Sequence, residues 1–185
     1  MLSPMELFQV VRAFIVAGNE TTTTAIGNGM LTLARDPDLV ARLYAARDDD
    51  RTFSRFGEEV LRLESPVQGL PRITTEDVEL AGTAIPKGAL VMLGYGSANR
   101  DDAKFACPEQ FDFERKNVGH HLAFGGGIHR CIGAMLARME IKVAAQQMVR
   151  RITDLKLAVP ESEVSYAPSM VVRALVNLPL TFSKR

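Results

Sequence analysis

Groups able to hold a metal are scarce in this chain: two cysteines and three histidines among 185 residues. A structural zinc or iron–sulfur centre needs about four grouped ligands. Cys107 and Cys131 stand apart and form no C-x-x-C pair. Neither of those centres is therefore available, and the C-x-x-C-H signature of covalently attached haem is missing too. Charge of one sign is also lacking. Lys plus Arg and Asp plus Glu each number 22, so nothing global points to nucleic acid or to an acidic partner. No apolar run reaches the ~18–20 residues of a membrane span, and no signal-peptide pattern opens the chain. Sparse, separated cysteines fit a reducing compartment, and the expected location is cytoplasmic. There is no internal repeat and no low-complexity tract. What is there, 46% hydrophobic and 24% charged residues, is the composition of a globular chain with one sizeable core.

The most informative stretch is Phe124-Gly125-Gly126-Gly127-Ile128-His129-Arg130-Cys131-Ile132-Gly133. Its glycines allow positive φ and the close approach of a bulky group. The pattern predicts a helix from Cys131 to about Arg151, with Ile132, Met135, Leu136, Met139, Ile141, Val143 and Met148 on its apolar side and the methionines as core filler. A cysteine at a helix start, among unsatisfied N–H groups, is favoured as the thiolate. Such a thiolate is a metal ligand or a nucleophile. A lone axial thiolate on a haem iron needs one cysteine and a flat apolar surface. His129 and Arg130 are within reach of anionic propionates.

Upstream, Ser3-Pro4-Met5-Glu6 is a capping box with proline at the first helical position. Leu7, Phe8, Val10, Val11, Phe14 and Ile15 follow at helical spacing. Ala17-Gly18-Asn19-Glu20-Thr21-Thr22-Thr23-Thr24 is poor helix material, and helical character resumes through Ala25–Ala34 until Arg35-Asp36-Pro37. The expectation is one helix of about 32 residues, ~48 Å long, against a radius of gyration near 16 Å for a compact chain of this size. Its weak centre is expected to loosen locally and to present threonine hydroxyls. Glu20 beside Thr21 pairs an acid with an alcohol, which suits proton delivery.

A second helix is expected from Asp36-Pro37 to about Arg47 and a third from near Thr52 to Glu64, ended by Ser65-Pro66. Glu59 and Arg62 share one face of the third. Short extended runs between Val78 and Leu93, split by Ala81-Gly82 and Pro86-Lys87-Gly88, read as an antiparallel meander. From Asn99 to the cysteine loop there is little regular pattern, and a buried cofactor is expected to pin it. Cys107 reads as an inert thiol. The adjacent His120 and His121 read as capping or surface groups. Leu155–Leu157 through Leu180–Phe182 reads as strands with a hairpin turning near Ser169-Met170-Val171-Val172.

Four of these features, in this order, resemble the cytochrome P450 family. The glycine–cysteine loop resembles its haem-binding signature F-x-x-G-x-x-x-C-x-G. Ala17–Thr22 resembles its [A/G]-G-x-[D/E]-T-T oxygen-activation motif. Glu59-Val60-Leu61-Arg62 resembles E-x-x-R, and Phe111-Asp112-Phe113-Glu114-Arg115 resembles the segment bearing that pair's third partner. The look is that of the bacterial soluble branch. The resemblance implies a mainly α fold with small β-sheets, and places residues 1–185 as a partial domain: the haem-binding C-terminal half, beginning at the long central helix, with the N-terminal half absent.

It further implies a haem-thiolate monooxygenase that oxidises a small hydrophobic substrate with O2, using heme b and NAD(P)H electrons from a ferredoxin- or flavodoxin-type donor. That donor would dock on a basic face near Arg130, Arg138 and Lys142. Cys131 would ligate iron. Arg72, Phe124, Gly125, His129 and Gly133 would surround the haem, with Arg72 and His129 on propionates. Glu20 and Thr21 would serve oxygen activation. Glu59, Arg62 and Arg115 would form a buried structural cluster, although Gln110 occupies the place where other members put the third arginine. Phe14, Ala17, Gly18, Gln68, Gly69, Val171 and Val172 would face substrate. The isolated chain is expected to be inactive, and the alternative is a non-catalytic haem-binding remnant.

Overall fold

The computed structural model describes residues 1–185. Its first element, α1 (Pro4–Arg35), starts as its caps dictate: Ser3 Oγ accepts from Glu6 N at 3.3 Å, and the Glu6 carboxylate accepts from Ser3 N at 2.8 Å. The helix then runs unbroken through Gly18 and the four threonines, so the expected central loosening does not occur. The reason is local. Thr21 Oγ1 donates to Ala17 O at 2.8 Å, one turn back, which satisfies the hydroxyl inside a continuous helix.

Asp36 ends α1 and caps α2 (Pro37–Ala45), its carboxylate accepting from Leu39 N at 3.0 Å. Asp49 caps α3 (Asp50–Leu63), which therefore begins two residues before Thr52. Strands β1 (Leu70–Ile73), β2 (Val78–Leu80), β3 (Thr83–Ile85) and β4 (Leu90–Leu93) follow. They are not a meander: β1 pairs with β4, Arg72 opposite Val91, and β2–β3 closes as a separate hairpin between them. A single turn of helix, α4 (Tyr95–Ala98), leads into the irregular segment. After it come α5 (Ala134–Arg151), β5 (Ile152–Leu157) and β6 (Leu180–Lys184). The last two pair antiparallel, with the expected hairpin between them.

The core lies where the C-terminal third of α1 meets α2, α3 and α5: Leu33, Leu39, Leu43, Phe53, Phe56, Val60 and Val149 are all buried. A smaller cluster, Ala25, Leu61 and Ile141, joins α1, α3 and α5 beside Phe124. By contrast, every residue from Met1 to Glu20 is exposed.

Helix α5 carries apolar residues on every side, interspersed with charged ones, and only one face packs into the core. Ile141, Ala145 and Val149 are buried, while Met135 is 77% and Ile132 86% exposed. Met139 and Val143 lie about 160° around the helix from Ile141 and are exposed as well. The expectation of methionine core filler thus fails for Met135 and Met139, while Met148 packs against the core.

The irregular segment is held by interior guanidinium groups, which the expectation of a cofactor as its anchor did not include. Arg62 donates to the carbonyls of Asn99 (2.9 Å), Pro108 (2.8 Å) and Gln110 (3.1 Å), and Arg115 donates to that of Cys107 (3.2 Å).

Candidate functional site

Glu59 and Arg62 are one helical turn apart and completely buried. They form a two-pronged pair, Nε to Oε2 and Nη2 to Oε1, both at 2.8 Å. Arg115 Nε adds a third contact to Glu59 Oε1 at 3.3 Å. Gln110 takes part through its carbonyl, which accepts from both arginines. A buried ion pair is costly unless its remaining donors are satisfied. Here the backbone carbonyls of the irregular segment satisfy them, and in doing so deliver the chain to the cysteine loop.

Gly125 (φ +64°) and Gly127 (φ +63°) take left-handed conformations that other residues rarely adopt, and they fold the loop back on itself. Cys131 N then donates to Phe124 O at 2.9 Å. Because that N–H is committed to the loop, Cys131 is not helical. The helix starts at Ala134, three residues later than its sequence pattern suggests. Ala137 N is the first donor to bond back in α fashion, to Gly133 O at 3.0 Å. No side chain caps this end. Ala134 N donates to Cys131 O at 3.4 Å, so the positive end of the helix dipole begins just after the cysteine.

A cavity of about 590 Å³ opens between this loop, α1, α3 and β1. Cys131, Phe124, Gly125, His129 and Gly133 line it from the loop side. Ala17, Gly18 and Thr21 line it from α1, and Arg72 from β1. The structure thus gathers residues more than a hundred positions apart onto one surface. Several candidates stay off that surface. Glu20 is exposed and outside the lining, because the helix turns it away from Thr21's side. Phe14 is 58% exposed, also outside it. Gln68 folds its amide onto Ser65 O at 2.6 Å and lies against Gly96. Gly69, Val171 and Val172 are likewise off the wall, held in a strand-like contact in which Gln68 N donates to Val171 O at 2.7 Å. Val67 and Leu70, their neighbours, line it instead.

Sequence reasoning missed Tyr95, Leu136 and Glu140 as lining residues. Leu136 and Glu140 stand four apart on α5, a spacing that could have flagged a shared face. Tyr95 carried no signal.

Two assignments of basic and imidazole groups change. Arg138 pairs with Glu58 and Lys142 with Asp50 (2.8 Å), leaving only Arg130 of the three without a carboxylate partner. His121 is a buried residue, not a surface group: its Nε2 lies 3.0 Å from Glu58 Oε2. Burial alone would push the Glu58 carboxyl up, but hydrogen bonds from His121 and Arg138, and the Arg138 charge, outweigh it and hold it down at about 2.

The residues fit a flat, largely apolar group with an anionic edge and one axial sulfur ligand. The wall is mainly apolar, and a Cβ added to Gly18 would meet nothing within 4 Å. Arg72 and His129 supply hydrogen-bond donors on the same cavity. No cluster of three or more His, Cys, Asp or Glu offers a metal another home. No helix is long and apolar enough to cross a membrane.

Comparison with known proteins agrees with this arrangement. The family model for Cytochrome P450 matches residues 53–171. Cytochrome P450 107B1 of Saccharopolyspora erythraea is 42% identical over 180 residues, covering 97% of this chain and 44% of that protein. The Vitamin D(3) 25-hydroxylase of Pseudonocardia autotrophica is 42% identical over 185 residues, covering 100% and 45%. The structure of Cytochrome P450 CYP109Q5 from Chondromyces apiculatus superposes with a TM-score of 0.90 at 40% identity, covering 100% of this chain and 46% of that one. The chain spans less than half the length of the curated relatives it matches. With sequence, fold and the composition of the cavity in agreement, the chain belongs to the cytochrome P450 family.

Proposed function

We propose that residues 1–185 are the haem-binding portion of a haem-thiolate monooxygenase whose substrate is a small hydrophobic molecule. The observation that carries this reading is the shared cavity: the sulfur-bearing loop and the Ala17–Thr22 turn of α1 face one largely apolar space. Bound there, a haem supplies the redox iron that activates dioxygen for insertion into a carbon–hydrogen bond.

This chain's own groups do the rest. Cys131 would supply the sulfur ligand to a bound haem, presented by the turns at Gly125 and Gly127. Arg72 and His129 hold the anionic edge by charge-assisted hydrogen bonds. Thr21 keeps its proton directed at Ala17 O, so its oxygen lone pairs remain free to accept from a water in the cavity. Glu20, exposed on the outer side of the same turn, is the acid assigned to proton supply from the solvent side. Ala17 and Gly18 leave room above the sulfur for substrate, and the segment ending at Val67 borders it. Electrons come from NAD(P)H through a ferredoxin- or flavodoxin-type protein, for which Arg130 is the free basic contact. An N-terminal half, as a longer chain or a separate one, completes the domain.

A haem-binding remnant without turnover is the second reading, favoured by the exposure of Met1–Glu20. The test common to both is haem loading followed by reduction under carbon monoxide. The wild-type chain should give the thiolate-type Soret band and Cys131→Ser should lose it. An identical band in the variant overturns ligation by Cys131.

A further inference from the structure

Consecutive carboxylates on α3 point to different partners. Glu59 serves the interior arginines. Glu58 serves His121, ahead of the cysteine loop, and Arg138, behind it on α5. The His121 side chain is 1% exposed. Its Nδ1 accepts the N–H of Ala123 at 3.2 Å. A backbone N–H only donates, so Nδ1 carries no proton, and the ring proton sits on Nε2, facing Glu58 Oε2. The carboxylate thereby selects the tautomer that fixes the loop's first amide. Arg138 Nη2 meets Glu58 Oε2 at 3.2 Å, and its guanidinium lies 4.5 Å from the centre of the Phe124 ring. The His121 ring packs against the same phenyl, with centroids 5.9 Å apart. Phe124 O in turn receives the N–H of Cys131. An unbroken run of contacts therefore leads from Glu58 to the backbone of the cysteine.

Resting on the haem-thiolate reading, we propose that Glu58, His121 and Arg138 are positioning residues for the Cys131 sulfur, acting through the Ala123 amide and the Phe124 ring and carbonyl. None of the three lines the cavity. Their effect is to fix where the loop holds the sulfur, as partners behind a metal ligand do elsewhere.

The decisive measurement is residue-resolved amide exchange on the cofactor-free chain, joined to the spectrum of the haem-loaded chain. His121→Phe keeps an aromatic ring but deletes both hydrogen bonds. It should speed exchange at Ala123 and Cys131 by about tenfold, the loss of one buried hydrogen bond, while Val60 and Val149 in the core keep wild-type rates. His121→Gln restores a donor toward Glu58 and should recover much of the protection. In the haem-loaded chain, His121→Phe should lower the thiolate-type fraction of the carbon monoxide complex, and His121→Gln should restore it. Should His121→Phe fail to fold, Arg138→Lys retains a cation for Glu58 but loses the plane over Phe124; it should speed exchange at Cys131 and spare Ala123. Uniform acceleration across the chain, or unchanged rates at Ala123 and Cys131, overturns the proposal. A wild-type chain that never shows the thiolate band, yet shows these local exchange changes, refutes the haem-thiolate reading and leaves the loop-positioning geometry standing.

Discussion

The two walls of the cavity are built in opposite ways. On the cysteine side, two adjacent glutamates of α3 tie the loop and its flanking segments into the core through buried and half-buried side chains. On the α1 side, Ala17 and Gly18 belong to a stretch of helix that is exposed on every face and held by its own backbone bonds. An isolated helix draws little stability from propensity alone and depends on packing of an apolar face. The loop's geometry is therefore a property of this chain, whereas the distance from α1 to the sulfur is set by a helix supported only from Thr21 onward.

Three perturbations sharpen that contrast. The largest effect is expected from Arg62→Ala, which leaves the Glu59 carboxylate buried beside Arg115 alone and frees the carbonyls of Asn99 and Pro108, while that of Gln110 keeps only Arg115. Breaking a buried pair on one side costs about 3–5 kcal/mol, enough to unfold a marginal chain. Urea denaturation followed by circular dichroism measures it, and a midpoint within error of wild type would contradict the picture.

A smaller effect is expected at Glu58. Its carboxyl is held down at about 2 against an ordinary 4.5, so its contribution is complete above about pH 4.5 and is lost as pH falls toward 2. Its size is about 2 kcal/mol after allowance for partial exposure. The stability gap between wild type and Glu58→Gln should accordingly close across that window in parallel acid titrations; a gap that widens on acidification has the wrong sign.

The smallest effect is expected on the other wall. Phe14→Ser removes an exposed phenyl and should change the stability of this chain by less than about 0.5 kcal/mol. A thermal melt that fell by many degrees would reveal packing of Phe14 that the structure does not contain.

The sequence was legible where the signal is local. Ser3 with Glu6, and Asp36, act on N–H groups three residues away, so two helix starts could be placed from the caps; Asp49 caps α3 in the same way but stands in a run of three aspartates, and that start was expected two residues late. Glu59 and Arg62 could be paired from helical spacing. Arg115 was joined to them by the family resemblance, but the remaining partners of Arg62 could not be read, because it donates to backbone carbonyls 37 to 48 residues away and a carbonyl has no sequence signature. The same holds for His121, whose partner Glu58 lies 63 residues upstream. Helix α5 misled for another reason. Its apolar residues cover the whole circumference, so periodicity could not tell the face that meets α1 and α3 from the face left in solvent. Of the cavity, the loop and the Ala17–Thr22 turn were legible as motifs. Gln68 was not, since its orientation depends on the flat surface of Gly96 against it.

The neighbouring Glu58 and Glu59 have a consequence for how α3 can vary over evolutionary time. Successive side chains diverge by about 100° around a helix axis, and each carboxylate sits in a different electrostatic niche. Deleting or inserting one residue between Phe53 and Glu58 would turn both out of their niches at once, together with the aromatic rings that anchor the helix. Homologous chains should therefore keep α3 at constant length across this turn, and length variation should collect instead in the Ala46–Asp48 bend before it.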